Sequence, residues 1–361
     1  MTSLEKPAHA HQEAKAKDRT YLFGSIMSTP VRQAYGLGPL IQLLEEQGRE
    51  VAPFLEAAEI PRFALEEPAF PIRLDQEIKF TELALAKLDL PASGLIVGER
   101  YHLSMFGVLG LAAACAPTPF ELVRTILTYP ALAWGMFETS LWRDEEYGYL
   151  VFEENAGLGE CGPFFIERDV MCGVIMTRDV LGQSYHPARV RFRHKAPEDL
   201  TPYLETFGCE VLFDQPVNEV QVPSAVWNTP LPQANDMSRR FFENQCRKIS
   251  ETLAAPLDYA GIVRARLKAA NPIPSLSELA SALYLTERTL QRRLAAEHVR
   301  FSDLLQETRL ARAREYLLRA NLGMDDIAER LGFKDAVAFS HAFKEWTGTS
   351  PGHFRALGEG A

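Results

Sequence analysis

Long apolar runs are missing from this 361-residue sequence, although 47% of its residues are hydrophobic. A transmembrane helix needs roughly 20 consecutive, predominantly apolar residues, so no membrane-spanning helix and no membrane partner are predicted. The N-terminal segment also has no apolar stretch of the kind that a secretory signal requires. We therefore expect residues 1–20 to form a disordered tail and the protein to be cytoplasmic.

Cysteine is scarce, and its five positions are scattered along the chain without any CxxC pair. Metal fingers and disulfide frameworks both depend on closely or regularly spaced cysteines. We therefore predict no metal site, and we expect buried free thiols at Cys115, Cys161, Cys172, Cys209 and Cys246.

Catalytic signatures are absent as well, since no GxSxG, P-loop, HExxH or dinucleotide-binding GxGxxG pattern occurs in a suitable context. The adjacent acids Glu153 and Glu154 fall in a predicted strand, where neighbouring side chains point to opposite faces and cannot share one substrate. The sequence therefore favours a protein that is not an enzyme and that needs no cofactor.

Positive charge is not abundant, and the net charge of the chain is −10. Residues 251–361 carry 15 Lys and Arg against 14 Asp and Glu, a net charge of +1, which leaves −11 for residues 1–250. A C-terminal part that is not strongly basic predicts modest non-specific affinity for DNA. An acidic N-terminal part repels phosphate, so its role is something other than holding DNA.

Residues 21–232 have the pattern of an α+β domain, in which helices come first and a small, mostly antiparallel sheet follows. The segment 137–154 alternates around a polar turn and predicts a β-hairpin. The segment Tyr101–Cys115 is almost entirely apolar and predicts a helix buried on all sides. Further helices are predicted at 35–50, 51–58, 76–88, 118–129, 164–181 and 200–207, and further strands at 188–194, 210–213 and 218–222.

Residues 233–257 read as a linker followed by an amphipathic helix. The apolar stripe from Met237 to Leu253 has helical spacing and needs a partner, which is either the same domain or a second subunit. Residues 258–356 then predict an all-α domain, because helical patterns alternate there with short turns only.

Two helix-turn-helix units in tandem occupy this all-α region, at residues 276–294 and 324–344. Each has a short helix with an apolar-Ala pair, a tight turn, and a second helix rich in groups that can hydrogen-bond to DNA. A chain with two such units can enter two successive major grooves, ~34 Å apart, on one face of a duplex. Double-stranded DNA is therefore the predicted partner.

The second helix of the first unit carries the stronger chemistry for reading DNA. Its N-terminus is predicted at Thr286, whose hydroxyl can accept a backbone N–H. Leu290 and Leu294 face inward. The candidate base-reading residues on the opposite face are Arg288, Gln291 and Arg292, and the candidate phosphate contacts are Thr286 and Arg293. Arg can bond guanine and Gln can bond adenine in the major groove. The alternative is a solvated charged helix face.

The second unit predicts weaker sequence discrimination. Asp335 is its expected N-cap, Phe339 and Phe343 are core residues, and Lys344 is a candidate phosphate contact. Small or apolar side chains can touch a thymine methyl, and hydroxyl or imidazole groups can bond a base edge. The candidate base-reading residues are Ala336, Val337, Ser340 and His341.

The C-terminal hundred residues closely resemble the DNA-binding domain of the AraC/XylS family of bacterial transcription regulators. The motifs that carry the resemblance are Ile327–Phe333, Phe339–Lys344, Gly348–Pro351 and Phe354-Arg355. The resemblance implies that the outward residues of both second helices read bases. His341 departs from the family pattern, where many members have Arg. The N-terminal block resembles the larger, cupin-free sensor domain of one subgroup, through its segments YGLGPLIQLL and HLSMFGVLG.

An extra acidic domain joined to a DNA reader indicates a regulator that responds to a small, largely apolar or amphipathic effector. We expect an activator that forms a homodimer and contacts RNA polymerase. The alternatives are an effector-independent monomeric DNA-binding protein and, less favoured, an enzyme fused to a DNA-binding module. The candidate effector-pocket residues, which can equally be core residues, are His102, Ser104, Met105, Phe106, Trp134 and Phe137, with Glu138 as a further polar group.

Overall fold

A computed structural model of the chain describes residues 20–24, 31–66, 70–88, 90–154, 157–253, 259–319 and 322–358. The chain divides into two compact units, with the boundary between residues 255 and 256. The first unit is α+β and the second is helical, as the sequence predicts. The predicted disordered tail lies outside the described residues except for Thr20, which begins the first strand.

The first unit contains a six-stranded sheet in the order β1-β4-β5-β8-β6-β7 and a separate two-stranded sheet formed by β2 and β3. All neighbouring strands are antiparallel except β6 and β7, which are parallel. The strands are β1 Thr20–Gly24, β2 Val31–Gln33, β3 Pro71–Arg73, β4 Phe137–Arg143, β5 Tyr147–Glu154, β6 Arg189–Arg191, β7 Glu210–Leu212 and β8 Asn218–Pro223.

One face of the large sheet is apolar, because the strand register places apolar residues of neighbouring strands side by side. The paired row across this face is Leu141, Leu150, Val220, Val190 and Val211. The next row, on the opposite face, includes the ion pair between Arg191 and Glu219, at 2.8 Å. The cavity described below lies on the apolar face. The opposite face is covered as well, since Val151 and Glu219 are buried.

Ten α-helices surround the sheets in the described part of the first unit, and none of the described helices in the chain is long and apolar enough to cross a membrane. They are α1 Gly38–Glu46, α2 Ala52–Ala57, α3 Leu74–Leu85, α4 Ser93–Gly98, α5 Gly107–Ala114, α6 Pro119–Thr128, α7 Gly162–Leu181, α8 Thr201–Phe207, α9 Ser224–Trp227 and α10 Asp236–Leu253.

Helix α7 is almost wholly buried and packs directly against α4. The contact depends on two glycines of α4, because a Cβ at Gly94 would lie 2.6 Å from the backbone oxygen of Phe164. A Cβ at Gly98 would lie 2.6 Å from the Cβ of Met171. Glycines four residues apart on one helix face therefore let the two backbones approach closely.

The predicted hairpin at residues 137–154 and the long helix after it are confirmed, but the segment Tyr101–Cys115 differs from the prediction. It forms a 3₁₀ turn at Leu103–Phe106 and then α5, separated at Gly107 by a positive φ of 53°. Leu111 is 51% exposed, so the helix is not buried on all sides. Glycine permits this change of direction because it has no Cβ, and hydropathy alone does not register it.

The amphipathic helix predicted after residue 236 is α10, and it packs on α5 within the first unit. Cys246 is fully buried there, and the hydroxyl of Tyr129 donates to the backbone oxygen of Glu243 at 3.1 Å. The same domain is therefore a partner for one side of this helix. Met237 and Phe241 remain 83% and 60% exposed.

The second unit consists of helices only among its described residues. They are α11 Tyr259–Ala269, α12 Leu276–Ala282, α13 Glu287–Ala296, α14 Phe301–Arg319, α15 Met324–Arg330, α16 Ala336–Thr347 and α17 Pro351–Gly358. Two apolar cores form, one around Leu290 and Leu294 and the other around Phe339 and Phe343. Helix α14 contributes to both, and Ile273 packs against both.

Candidate nucleic-acid interface and ligand cavity

Helices α12 and α13 form the first helix-turn-helix unit, and side chains cap the start of each. The Ser275 hydroxyl accepts from the Glu278 N–H at 3.2 Å, and the Glu278 carboxylate accepts from the Ser275 N–H at 2.7 Å. The Thr286 hydroxyl accepts from the Thr289 N–H at 3.2 Å, which is the cap that the sequence predicts. These bonds fix the start of α13 by satisfying backbone donors that a helix leaves free.

The two sides of α13 differ in burial, as its spacing requires. Leu290 and Leu294 are fully buried in the first core. Arg288, Gln291 and Arg292 are exposed on the other side. The guanidinium and amide groups thus project from a helix that is fixed by its cap and by its inner leucines.

Arg293 has a partner that the sequence does not reveal. Its guanidinium lies over the Tyr259 ring, 4.5 Å from the ring centroid, and also hydrogen-bonds to the Tyr259 hydroxyl. On the next turn of α13, the Glu297 carboxylate accepts from the Tyr259 and Ala260 N–H groups at 2.9 and 2.7 Å. The start of α11 is therefore fastened to α13, and a phosphate contact by Arg293 would share its guanidinium with this link.

Helices α15 and α16 form the second unit. The Asp335 carboxylate accepts from the Ala338 N–H at 2.7 Å, which is the predicted cap, and Phe339 and Phe343 are fully buried. Val337 is 66% exposed. Among the other predicted contacts, His341 and Lys344 are exposed, whereas Ala336 and Ser340 are half-buried.

Two arginines of α14 connect this helix to α11 and to the second helix-turn-helix unit, and neither was predicted from the sequence. Arg312 donates to the backbone oxygens of Leu267, Lys268 and Ala270 at the end of α11, at 2.6–3.0 Å. Arg309, one turn earlier, donates to the Gly332 oxygen at 3.1 Å and lies over the Phe333 ring. Because α14 also contributes to both apolar cores, it links the two helix-turn-helix units within this domain.

The α+β domain contains a cavity of about 130 Å³ between the apolar face of the sheet and helices α6 and α7. Leu122 and Ile126 of α6 line it, and so do Val174 and Thr177 of α7. Of the predicted pocket residues, Phe106, Trp134 and Phe137 also line it. The Phe106 and Trp134 rings lie 4.6 Å apart between centroids and form one wall.

Three other residues of the predicted pocket do not line this cavity. His102 and Ser104 are exposed and Met105 is half-buried, because the 3₁₀ turn directs Leu103 and Phe106 inward instead. The His102 imidazole is paired with Asp179 at 2.8 Å. Glu138 is absent from the lining too, since it alternates with Phe137 and Thr139 along β4.

A buried ionic network holds the loop at residues 134–136, which forms part of the cavity wall. Arg168 donates to the backbone oxygen of Trp134 at 2.7 Å, and Asp169 accepts from the Met136 N–H at 2.6 Å. Glu77 lies 3.3 Å from Arg168 and 2.5 Å from Arg32. These charges are used within the protein, and the described residues contain no group of three or more potential metal ligands.

A capped helix with a buried inner face and an exposed face of Arg and Gln, repeated beside a second such unit, defines a helix-turn-helix DNA-binding protein. The attached α+β domain makes it a two-domain DNA-binding protein. A family model described as the arabinose-binding domain of AraC transcription regulators matches residues 48–231, and a helix-turn-helix domain model matches residues 279–357. The chain belongs to the AraC family of transcription regulators.

Relatives cover nearly the whole chain. The ornithine utilization regulator of Pseudomonas aeruginosa is 28% identical over 318 residues, covering 88% of this chain and 94% of that protein. The transcriptional regulator VirS of Mycobacterium tuberculosis is 29% identical over 337 residues, covering 90% and 96%. The crystal structure of the regulator CdpR from P. aeruginosa aligns with a TM-score of 0.46 and 23% identity, covering 89% and 98%. The relatives are regulators, in agreement with a chain that is not an enzyme.

Proposed function

We propose that this transcription regulator recognises a specific promoter sequence with α13 and α16 and that a small effector in the first domain controls it. The observation that carries the DNA-reading part is the exposed face of α13, with Arg288, Gln291 and Arg292, on a helix whose other face is buried. Arg bonds guanine O6 and N7 in pairs, and Gln bonds adenine N6 and N7. These three residues supply most of the sequence discrimination.

Helix α16 adds weaker discrimination, and phosphate contacts set the register. The exposed Val337 and the adjacent Ala336 suit a thymine methyl, while Ser340 and His341 suit base edges or phosphate. The phosphate contacts in this proposal are Thr286, Arg293 and Lys344.

The DNA-reading proposal is tested by Arg292→Ala. The substitution removes base contacts, so specific operator binding should weaken by roughly 1–3 kcal/mol while the fold is unchanged. The matched control is Arg314→Ala, because Arg314 is also an exposed helical arginine of this domain but lies on α14, outside both reader helices. A footprint that is the same for Arg292→Ala and wild type contradicts the assignment.

The effector part of the proposal is supported by the cavity and by an acidic domain that does not favour DNA. The name of one relative, a regulator of ornithine utilization, fits control by a metabolite. Thermal-shift screening of a metabolite library tests the idea with two variants. Trp134→Ala should change the ligand-induced shift because Trp134 lines the cavity, whereas His102→Ala should not because His102 lies outside it. Identical shifts in both variants and wild type remove the cavity as the effector site.

We further propose that the protein acts in the cytoplasm as a homodimeric activator that contacts RNA polymerase. The support for a second copy is the apolar surface formed by Met237 and Phe241 of α10 and by Leu111 of the adjoining α5, each at least half exposed. Met237→Glu combined with Phe241→Glu should convert the dimer to a monomer in gel filtration. A wild-type chain that elutes as a monomer, with or without DNA, favours the alternative of an effector-independent monomeric DNA-binding protein.

A further inference from the structure

Gly173 lies in the middle of helix α7, and its own neighbours give no reason for a glycine. Glycine in a helix interior costs about 1 kcal/mol relative to alanine. A Cβ built at Gly173 would meet no described heavy atom within 4 Å. This differs from Gly94 and Gly98 of α4, where a Cβ would come within 2.6 Å of α7. Gly173 therefore preserves open space, and not a close contact.

The space over Gly173 is the cavity itself, because Gly173 is one of its lining residues. Val170, Val174 and Thr177 lie on the same side of α7 at helical spacing and line the cavity as well. Any side chain at position 173 would project from this face toward the sheet. The residue at position 173 thus sets how much of the cavity is available to a ligand.

The chemistry of the lining limits the charge of that ligand. Among the described residues that line it, only Arg168 and Asp169 are charged, and they pair with each other at 2.7 Å and also bond the loop at residues 134–136. The Thr177 hydroxyl donates to the Gly173 oxygen at 2.8 Å, and the Tyr101 hydroxyl donates to the Gly36 oxygen at 2.6 Å. A carboxylate or ammonium group would lose its hydration without gaining a free counter-charge, which is costly.

The volume limits the size of the ligand. An apolar protein cavity of roughly 150 Å³ accommodates benzene, and the volume here is about 130 Å³. The walls are largely aliphatic and aromatic, including Leu150, Phe152 and Val220 from the apolar face of the sheet. The indole N–H groups of Trp134 and Trp227, both in the lining, have no hydrogen-bond partner among the described residues. A sugar needs more polar partners than these two donors, although the family description mentions arabinose.

We propose that the cavity binds a neutral, largely apolar molecule about the size of one six-membered ring, and that Gly173 determines this specificity by leaving room for it. The inference rests on the proposed effector function and defines the chemical class of the effector. Gly173 acts by leaving room in the cavity, and a larger side chain at this position would occupy the volume that the ligand ring needs.

The test uses the full chain and four probes: toluene, benzoate, ornithine and L-arabinose. Toluene and benzoate share a ring and differ in charge. Toluene should raise the melting temperature of the wild type, and the other three should not. Gly173→Leu should abolish the toluene shift. The matched control is Gly162→Leu, because Gly162 is also a glycine of α7 with open space over its Cβ but does not line the cavity.

Gly173→Ala provides a second variant if Gly173→Leu does not fold. It should raise the melting temperature of the ligand-free protein, because alanine favours the helix, and it should reduce the toluene shift. A toluene shift of equal size in wild type and in the Gly173 variants overturns the inference, and so does the absence of any shift with toluene.

The inference and the proposed function fail in different ways. If benzoate, ornithine or arabinose shifts the wild type and Gly173→Leu blocks that shift, the cavity remains the effector site and the ligand class is wrong. If a probe binds and operator affinity does not respond to it, the effector function fails while the size and charge limits of the cavity hold.

Discussion

Glu167 is a carboxyl group buried in the first domain, with only 5% of the residue exposed. The Tyr203 hydroxyl donates to its Oε1 at 2.6 Å, and Nε2 of His194 lies 3.4 Å from the same oxygen. Removal from water raises the pKa of Glu167 to about 7, although the bond from Tyr203 opposes the rise. Burial likewise lowers the pKa of His194. The protein therefore favours neutral His194 near neutral pH and keeps the Glu167 carboxyl group protonated at pH values below about 7.

The free energy of unfolding should consequently depend on pH through Glu167. Between the unfolded pKa of about 4.3 and the folded value of about 7, the folded chain binds a proton that the unfolded chain has released. Stability from this group is thus full below the unfolded pKa and is lost as the pH rises toward 7. His194 contributes with the opposite sign, since its folded pKa is lowered.

Glu167→Gln isolates the Glu167 contribution because His194 is present in both proteins and glutamine can still accept from Tyr203. Urea unfolding from pH 5 to pH 8 should show wild type losing about 2–4 kcal/mol relative to the variant, as expected for a shift of two to three pKa units. Parallel pH profiles for the two proteins contradict the buried, proton-binding state of this carboxyl group.

Residues whose role depends on nearby sequence were predicted well, and residues whose role depends on distant partners were not. The caps at Thr286 and Asp335 act on backbone N–H groups three residues later. The stacking of Arg293 on Tyr259 joins residues 34 positions apart, and no local pattern in the sequence indicates it. The same holds for Gly173, whose significance is the empty space above it.

At the scale of elements, α14 is the part of the DNA-binding domain that links both readers. Arg312 donates to three backbone oxygens at the end of α11, where a helix leaves its carbonyl groups without partners. A cation at this end of a helix is also favoured by the helix dipole. We therefore expect the spacing between the two proposed reader helices to depend on a contact outside both of them.

Arg312→Gln should lower the melting temperature of the protein, because charge-assisted bonds to the carbonyl groups at the end of α11 are lost. The variant should also tolerate an operator whose two half-sites are moved apart by one base pair better than wild type does, since the readers are held less firmly. Gel-shift titration of matched operators measures this. Arg314→Gln on the same helix is the control, and equal spacing preferences in the three proteins would rule out the positioning role of Arg312.

Elements with strong periodicity were predicted best. The hairpin of β4 and β5 and the helix α7 were recognised, whereas the strand expected at residues 188–194 is only Arg189–Arg191. Short strands such as β2 and β3 carry too few residues for a period to show, and they form because a partner strand is present. The local sequence pattern does not indicate which distant segments pair with each other.

At the scale of the whole molecule, charge is divided unevenly between the two parts, −11 for residues 1–250 and +1 for residues 251–361. We do not expect the acidic part to contribute to phosphate binding, and the other part is nearly neutral overall. We therefore expect specific contacts to carry a large share of the operator affinity, because a nearly neutral domain gives little non-specific electrostatic attraction. A protein whose DNA affinity depends mainly on specific contacts is well suited to control by a modest change in that affinity.

The ligand cavity and the reader helices lie in different units, so a ligand can alter DNA binding only by favouring one arrangement of the molecule over another. Linkage then requires reciprocity: a ligand that tightens operator binding by some factor is itself bound more tightly by the same factor when operator DNA is present. We expect coupling of roughly 5- to 150-fold. Titrations of ligand with and without operator, and of operator with and without ligand, should give equal ratios of dissociation constants.

Gly173→Leu should bind the operator with the ligand-free affinity of wild type and show no coupling, because its cavity is filled. Operator affinity that is unchanged at saturating ligand would exclude the cavity as the control site and favour a DNA-binding protein without an effector.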